Sequence, residues 1–295
     1  MVRALITYAI PATTFALLVA VGLDLRPVDF ARVRRRPGVV AAGLFAPIVL
    51  LPPLAIALIW LFQPDSAVAA SMLLIAACPI GGVSNTYSYL ARAAPALSVT
   101  LTGISCLGAS VTIPLISKGL EFALDRPFGY SVPLTALLGQ LLLALALPLA
   151  IGMMVRQRAP DFAGRHTVLF QRVAFFGVGL TLLLVGAEDP RAVARGLSST
   201  VPLAAVFVIG SIAVGWLVGM VVTDDRRDRF TLAAEFGARN ISIAIIIAVT
   251  ILGRVEFARF ALIYALVEVP LMLVAIALFR RWQAATSARH VVLSA

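Results

Sequence analysis

Two short polar stretches interrupt otherwise apolar segments of the sequence: Cys78-Pro-Ile-Gly-Gly-Val-Ser-Asn85 and Glu235-Phe-Gly-Ala-Arg-Asn240. Backbone that leaves the helical conformation inside a membrane is tolerated only where protein or water satisfies its amide and carbonyl groups. Two such breaks in corresponding positions of two halves of one chain are typical of the binding site of a secondary transporter. The two stretches therefore predict both a membrane fold and the location of its site.

The composition independently indicates a membrane protein. Of the 295 residues, 61% are hydrophobic and only 13% are charged, and the mean hydropathy is +1.01. A soluble domain of this length could not bury so much apolar surface. At about 20 residues per spanning helix, about nine spans and short loops use the whole length. We therefore expect no separate soluble catalytic domain.

The apolar windows predict an all-α polytopic membrane protein with about nine transmembrane helices. Arginine and lysine number fifteen in one set of alternating loops and seven in the set that includes the N-terminus. Because cytoplasmic loops carry the excess of positive charge, we expect an external N-terminus and a cytoplasmic C-terminus. The same orientation explains the net charge of +10 without a nucleic acid partner. The predicted spans lie near 5–22, 38–62, 67–91, 96–118, 132–155, 167–187, 198–222, 229–252 and 258–280.

The two breaks lie in the middle helices of two triplets of predicted spans. Residues 38–118 contain Gly82-Val-Ser-Asn85, and residues 198–280 contain Gly237-Ala-Arg-Asn240. The first triplet is predicted to start from the cytoplasm and the second from outside. The pair therefore forms a predicted inverted repeat, an arrangement that permits alternating access around one shared site.

Three ionisable side chains fall deep inside predicted spans: Glu235, Arg239 and Glu268. Each costs roughly 2.5–3.5 kcal/mol at a helix centre on insertion scales, so each needs a partner or a cavity. Glu235 and Arg239 are four residues apart and form a structural ion pair if the helix continues between them. Because both lie on the break, we favour Glu235 as a cation ligand and Arg239 near the substrate. Glu268 is either a proton carrier or a packed, protonated carboxylic acid.

Oxygen donors are concentrated near the first break. Ser84 and Asn85 belong to the break itself, and Ser98 and Thr102 lie one turn apart on the following predicted helix. A single hydroxyl in a membrane helix more often bonds its own backbone. The joint placement of these groups, with the Glu235 carboxylate, instead favours a site for a hard cation such as sodium.

The substrate is predicted to be a carboxylate or another organic anion. Half-helices that begin near Val83 and Ala238 would direct free N–H groups and positive dipole ends to the middle of the membrane. Arg239 lies beside the second of these ends. The residues that we assign to substrate binding are Gly82, Val83, Arg239, Asn240 and Glu268.

These residues carry a resemblance to a known family. The run Cys78-Pro-x-Gly-Gly-x-Ser-Asn85, with Tyr89-Leu-Ala-Arg92 and Leu97-Ser-Val-Thr100 after it, resembles the first crossover region of the bile acid–sodium symporter family. Glu235-x-Gly-x-x-Asn240 is similar to the second crossover, and Gly22-Leu-Asp-Leu-Arg-Pro27 to an early loop of that family. The resemblance covers nearly the whole chain, and we expect a bacterial member.

The resemblance implies one transporter domain, residues 1–295, in the plasma membrane (the cell inner membrane). Helices within 38–118 and 198–280 would form a core, and helices near 5–22 and 132–187 a panel against which the core moves. The implied function is sodium-coupled symport of organic anions. Carried over position by position, the first sodium site would use Ser84, Asn85, Ser98, Thr102 and Glu235.

The second sodium site departs from the family pattern. The family has two glutamines beside the shared glutamate, and Pro47 and Arg239 stand at the matching positions. Proline has no side-chain oxygen, and a guanidinium about 4 Å from a sodium ion repels it by roughly 4 kcal/mol at an effective dielectric near 20. We expect Arg239 to replace the second ion and the sodium stoichiometry to be lower.

The principal alternative is a sodium-independent carrier, resembling auxin-type efflux carriers, that protons or the membrane potential drive. Glu235 or Glu268 would then titrate. A channel is disfavoured because paired inverted breaks around one site suggest occlusion. An intramembrane hydrolase would need a Ser–His or Asp–Asp dyad in the spans, and we predict His166 and His290 in a loop and a tail. The sequence has no nucleotide-binding loop, so ATP drive is not supported.

Overall fold

The computed structural model describes residues 2–25, 35–124, 134–188 and 190–293, and the regular structure of these residues is helical apart from one isolated β-bridge. The predicted all-α class is confirmed for this part of the chain. Within the described residues, five helical segments are long and apolar enough to cross a membrane, and they are Pro37–Phe62, Pro95–Ile116, Gly139–Arg158, Leu197–Val222 and Val255–Thr286. Shorter apolar segments lie at Pro11–Asp24, which is part of a longer helix, at Ser66–Ala77 and at Ile241–Ile251.

We number the described α-helices in chain order. A π-helical segment, Leu142–Ala146, joins α6 to α7, and a second, Ile247–Ile251, continues α11. A 3₁₀ turn, Val255–Ala258, precedes α12. The bounds are α1 Val2–Asp24, α2 Pro37–Phe62, α3 Ser66–Ala77, α4 Val83–Leu90, α5 Pro95–Leu124, α6 Leu134–Leu141, α7 Leu147–Arg158, α8 Pro160–Glu188, α9 Pro190–Val222, α10 Arg226–Gly237, α11 Ile241–Ile246 and α12 Arg259–Leu293.

Most helix ends agree with the predicted spans within a few residues. The larger differences are that α5 ends at Leu124 and not at 118, α8 begins at Pro160 and not at 167, α9 begins at Pro190 and not at 198, and α12 extends to Leu293 and not to 280. His166 lies in α8, where its ring stacks on Phe162, so its prediction as a loop residue is wrong. His290 also falls within α12. The count of nine transmembrane spans stays a prediction.

The first break follows from the chemistry of proline. Pro79 has no N–H, and its ring disfavours a helical conformation at the preceding residue. Cys78 accordingly has φ −65° and ψ 154°, which is extended backbone, and α3 ends one residue earlier. The chain becomes helical again at Val83, where the first half-helix was expected to begin.

The second break ends three residues later than the sequence suggested. Ala238 is still bonded to α10, since its N–H donates to the Ala234 carbonyl at 2.9 Å. Asn240 caps the next helix, because its Oδ1 accepts from the Ile243 N–H at 3.1 Å. The second half-helix therefore begins at Ile241 and not near Ala238.

The two breaks cross and pair through their main chains. The Gly81 N–H donates to the Ala238 carbonyl at 2.8 Å, and the Asn240 N–H donates to the Pro79 carbonyl at 2.9 Å. Ile80 and Arg239 thus form an isolated antiparallel bridge. This pairing satisfies backbone groups that would otherwise be unbonded at membrane depth. It also explains why residues 238–240 cannot be helical.

Helix α1 packs closely on α7 and α8. A β-carbon on Gly22 would lie 2.3 Å from the Leu149 carbonyl oxygen, and one on Gly152 would lie 2.3 Å from that of Val19. Glycine at both positions thus lets the backbones of α1 and α7 approach. These helices are the ones predicted to form the panel, and the division into panel and core stays a prediction.

Some sequence predictions concern residues outside the described ranges. The family motif after the first helix continues there, at Arg26 and Pro27. Four of the residues in the charge count, Arg26, Arg32, Arg34 and Arg126, also lie there.

Candidate functional site

The Glu235 carboxylate lies at the centre of a group of buried hydroxyls. Ser84 Oγ donates to its Oε2 atom at 3.0 Å, and Ser98 Oγ donates to Oε1. Thr102 Oγ1 lies 3.5 Å from Oε2. All four side chains are fully buried, so the hydroxyls supply the polar surroundings that water would otherwise provide.

Asn85 completes this cluster from its half-buried position on α4. Its Oδ1 lies 2.8 Å from Ser98 Oγ and 3.2 Å from Thr102 Oγ1. Each hydroxyl has one hydrogen and can donate to either Asn85 or Glu235, but not to both at once. Ser84 Oγ lies 3.4 Å from each of the same two hydroxyls. The structure thus brings together all five residues predicted as sodium ligands, and we call them the oxygen cluster.

The chemistry of the oxygen cluster fits a small monovalent cation. It combines one carboxylate with neutral hydroxyl and amide oxygens, the donors that hard cations prefer. A hydroxyl that now donates to the carboxylate can also turn a lone pair towards a cation. The described residues contain no group of three His, Cys, Asp or Glu side chains that could hold a metal ion. The donor set is therefore suited to sodium and not to a transition metal.

Three separate helices supply the oxygen cluster. The first turn of α4 carries Ser84 and Asn85, α5 carries Ser98 and Thr102, and the last turn of α10 carries Glu235. Helix α4 begins just after the first break, and α10 ends at the second. Any movement of the two breaks relative to each other therefore changes the distances between these oxygens. The site is thus mechanically linked to the crossing.

Arg239 and Glu235 do not form the ion pair that a continuous helix would allow. Arg239 Nη2 donates to the Cys78 carbonyl, and Nη1 lies 3.5 Å from the main-chain carbonyl of Glu235. The ion pairs among the described residues involve other arginines. The described residues show no direct ion pair between the two side chains because α10 ends at Gly237, so the four-residue helical spacing is lost.

The surroundings of Arg239 also differ from the expected ones. Cys78 follows the last residue of α3, and Glu235 lies in the last turn of α10. The guanidinium therefore contacts the C-terminal, negative ends of two helix dipoles and not the N-terminal ends. It lines a cavity together with Pro47.

The remaining residues predicted to bind substrate lie in two places. Gly82 and Val83 are half-buried at the start of α4, where a β-carbon on Gly82 would lie 3.3 Å from Val21 Cγ2 of α1. Asn240 uses its Oδ1 as a helix cap, and its buried Nδ2 has no hydrogen-bond partner. These three residues thus lie at the starts of the half-helices that follow the breaks, while Glu268 lies on α12.

Glu268 is buried on α12 and accepts a hydrogen bond from Tyr87 Oη at 3.2 Å. Its other carboxyl oxygen has no hydrogen-bond partner. Tyr264, one turn earlier on α12, donates from Oη to the Gly237 carbonyl beside the second break. Neither tyrosine was predicted from the sequence. The available signal was helical spacing: Tyr87 is three residues after Ser84, and Tyr264 is four residues before Glu268.

Comparison with known proteins gives the family. A sequence profile of the sodium bile acid symporter family matches residues 11–194, which is more than half of the chain. The chain belongs to the sodium bile acid symporter family. It is therefore a multi-pass membrane protein of a transporter family and not an enzyme. The profile match includes the first break, while the second break lies beyond its end.

Individual relatives are distant. The chain is 28% identical over 238 residues, 79% of its length, to "Probable sodium/metabolite cotransporter BASS2, chloroplastic" of Oryza sativa subsp. japonica. It is 28% identical over 241 residues, 80% of its length, to "Sodium-dependent organic anion transporter" of Rattus norvegicus. A third relative, "Uncharacterized sodium-dependent transporter YocS" of Bacillus subtilis, is 34% identical over 100 residues, 34% of the chain. These matches span 54%, 64% and 31% of the relatives' own lengths.

Proposed function

We propose that this family member is a secondary active transporter that moves an organic anion together with one sodium ion by alternating access. Its place would be the inner membrane of a bacterial cell, with the N-terminus outside and the C-terminus in the cytoplasm. Two named relatives are a sodium/metabolite cotransporter and a sodium-dependent organic anion transporter, which supports both the ion and the class of substrate.

The observation that carries the proposal is the oxygen cluster. A buried carboxylate surrounded by three hydroxyls and an amide oxygen, and without an ion pair to an arginine or lysine among the described residues, has the charge to bind one monovalent cation. A bound sodium ion would neutralise Glu235 and join α4, α5 and α10. Ion binding would thereby stabilise the crossing, which couples sodium to the conformation of the substrate site.

One sodium ion is proposed instead of two because of Arg239 and Pro47. The two residues line one cavity, and neither has a side-chain oxygen to offer a second cation. Arg239 carries the positive charge that a second ion would bring. This charge is part of the protein and is not released during the transport cycle. Each cycle would therefore move one sodium ion down its gradient and not two.

The substrate anion is proposed to bind beside the crossing. Gly82 and Val83, at the start of α4, would offer main-chain N–H groups and the positive end of the helix dipole. Gly82 lies close to Val21 of α1, so the anion would lie between the proposed core and panel. Asn240 has an unpartnered Nδ2 donor, and Arg239 makes the crossing electropositive. Glu268 is proposed to border the substrate from α12.

Alternating access would follow from the proposed inverted repeat. The triplets 38–118 and 198–280 each contribute one broken helix, and these cross through paired main chains. A core built on this crossing can move as one body against the panel helices α1, α7 and α8. The sodium and substrate sites would move together with it.

The test is the thermal stability of the purified protein in sodium compared with potassium at equal ionic strength. Sodium is expected to raise Tm, and Glu235→Gln is expected to abolish the difference because a neutral amide does not attract the ion. Glu256→Gln, a change of the same kind at a half-buried carboxylate outside the site, should keep it. Equal Tm in the two salts would contradict the proposal.

A sodium-independent, proton-driven carrier is the second candidate, and the surroundings of Glu268 favour it specifically. A buried carboxyl group with one unbonded oxygen and no basic partner in contact can take up and release a proton. In this case anion uptake into proteoliposomes would follow a pH gradient in potassium buffer. Glu268→Gln would abolish that uptake, whereas in the sodium-coupled protein the remaining uptake would still depend on the sodium gradient.

A further inference from the structure

The guanidinium of Arg239 has an incomplete set of partners. Its side chain is 3% exposed, and Nε has no hydrogen-bond partner. Of its remaining nitrogens, one donates to the Cys78 carbonyl and one lies at 3.5 Å from the Glu235 carbonyl. An unpaired buried cation is costly, and leaving one of its donors unbonded adds to that cost.

The direct hydrogen-bond partners of the guanidinium carry only partial negative charge. The two carbonyls belong to helix C-termini, each equivalent to roughly half an elementary charge at most. The Glu235 carboxylate attracts the guanidinium electrostatically but makes its hydrogen bonds to the oxygen cluster, and the described ion pairs do not include Arg239. An anion beside Nε would give the guanidinium a direct ion-pair partner.

A cavity of about 190 Å³ adjoins the guanidinium. Helices α2 and α5 and the first break form its walls, which are mostly apolar and contain the hydroxyl residues Ser105 and Thr112. Because a water molecule occupies roughly 30 Å³ of liquid, this volume suits a molecule of about six heavy atoms. Apolar walls with one unsatisfied cationic donor are a favourable environment for an anion of that size.

We propose that this cavity, between α2, α5 and the first break, is a binding site for a small monovalent anion, either a halide or a short-chain carboxylate, held by the guanidinium of Arg239. The site is separate from the oxygen cluster and from the start of α4. It does not depend on the proposed sodium coupling, because the argument uses only the contacts of Arg239 and the cavity.

An anion at this site would complete the charge balance of the crossing. It would accept from Nε and place one negative charge against the guanidinium, in a region where low polarity strengthens their attraction. The place that corresponds to the family's second sodium site, marked by Arg239 and Pro47, would thereby have changed from a cation site to an anion site. We expect bound anion to stabilise the folded protein.

The experiment titrates anions at constant sodium and constant ionic strength. Purified protein in sodium gluconate receives increasing sodium chloride or sodium acetate in exchange, and Tm is recorded. Gluconate has roughly twice as many heavy atoms as the cavity accommodates. We expect a saturable rise in Tm of at least about 3 °C with chloride, acetate or both, and the response to each salt identifies the occupant as a halide or a carboxylate.

Three variants make the test specific. Arg239→Gln removes the charge and should abolish the rise in Tm. Gly108→Leu should also abolish it: this glycine lines the cavity, and a β-carbon there would have no atom within 4 Å, so the side chain can occupy the cavity without a clash. Gly179→Leu is the matched control, an exposed glycine of α8 with equally open surroundings, and should keep the rise.

The outcomes separate clearly. The proposal is overturned if neither chloride nor acetate raises Tm above its value in gluconate, if Gly108→Leu retains the rise, or if Gly179→Leu loses it. Retention of the rise in Arg239→Gln would also overturn it. Should Arg239→Gln fail to fold, Gly108→Leu decides alone. Because sodium is constant throughout, failure here leaves the sodium proposal to its own test.

Discussion

The two helix breaks have similar sequences and different surroundings. Both contain Gly-x-x-Asn, yet Asn85 joins a buried carboxylate cluster, whereas Asn240 caps the helix that follows it. On one side of the crossing Glu235 collects oxygen donors. On the other side Arg239 contacts two carbonyls and adjoins a cavity. The crossing thus separates a site suited to a cation from a site suited to an anion.

The difference teaches that a repeated local motif determines where the chain breaks and not what each break binds. Main-chain pairing is common to both breaks, because each supplies one N–H donor and one carbonyl to the other. The binding chemistry is set by the neighbouring helices. Helix α5 adds two hydroxyls to the oxygen cluster at the first break, while Pro47 of α2 adds no polar side chain beside Arg239.

The largest effect is expected from Gly81→Ala, which breaks the feature that both regions share. Its β-carbon would lie 2.7 Å from the Arg239 carbonyl oxygen, and main-chain atoms cannot move aside easily. Overpacking of this kind costs about 1–3 kcal/mol. We expect Tm to fall by several degrees and sodium affinity to fall by at least roughly tenfold, both measured by thermal titration with sodium.

The adjacent residue provides the control for this prediction. Gly82→Ala would bring a β-carbon to 3.3 Å from a side-chain carbon of Val21, which can adjust. It should therefore lower Tm much less than Gly81→Ala does. Equal effects of the two substitutions would show that the main-chain crossing is not the constraint.

The corresponding asparagines compare the two breaks directly. Asn85→Ala removes the amide oxygen of the oxygen cluster and should weaken sodium binding by about tenfold, or roughly 1.4 kcal/mol. Asn240→Ala removes a helix cap, which costs about 1 kcal/mol of stability, and should leave sodium affinity nearly unchanged. If Asn240→Ala weakened sodium binding as much as Asn85→Ala, the assignment of separate roles would be wrong.

Ser98→Ala tests the hydroxyls of the first site with a smaller change. Ser98 contacts both Glu235 and Asn85, so its removal should lower sodium affinity several-fold, by about 1 kcal/mol. Ser110→Ala is the matched control on the same helix, since the Ser110 hydroxyl donates to the Leu107 carbonyl of its own helix and not to the oxygen cluster. Sodium titrations of both variants should differ; identical affinities would remove Ser98 from the ligand set.

The smallest effect is expected from restoring a second cation site. The double substitution Pro47→Gln with Arg239→Gln removes the positive charge and adds two amide oxygens to one cavity. We expect a second, weak sodium ion to bind, seen as additional sodium in equilibrium dialysis. Pro47→Gln alone should not bind it because the guanidinium remains. A second ion in the single variant would contradict the proposed role of Arg239.

The sequence predicted features that depend on local chemistry. The polar stretch 78–85 indicated the first break, and the oxygen donors in that break and on one face of α5 indicated the cluster around Glu235. The family resemblance led to the same residues, and the family itself is confirmed. In each case the signal lies within one segment of the chain or in a motif of a few residues.

What the sequence could not predict depends on contacts between distant segments. Residues 238–240 pair with the first break, which moves the start of α11 to Ile241 and directs Arg239 away from the Glu235 carboxylate. The bond from Tyr87 to Glu268 joins residues 181 positions apart. Neither helical spacing nor propensity contains such information.

The most direct test is the number of sodium ions that the purified protein binds at saturation, measured by equilibrium dialysis with radioactive sodium. The oxygen cluster provides one site, and Arg239 excludes a cation from the other side of the crossing. We therefore predict one sodium ion per chain, lost in Glu235→Gln. Two ions per chain, or one ion that persists in Glu235→Gln, would contradict this account of the two breaks.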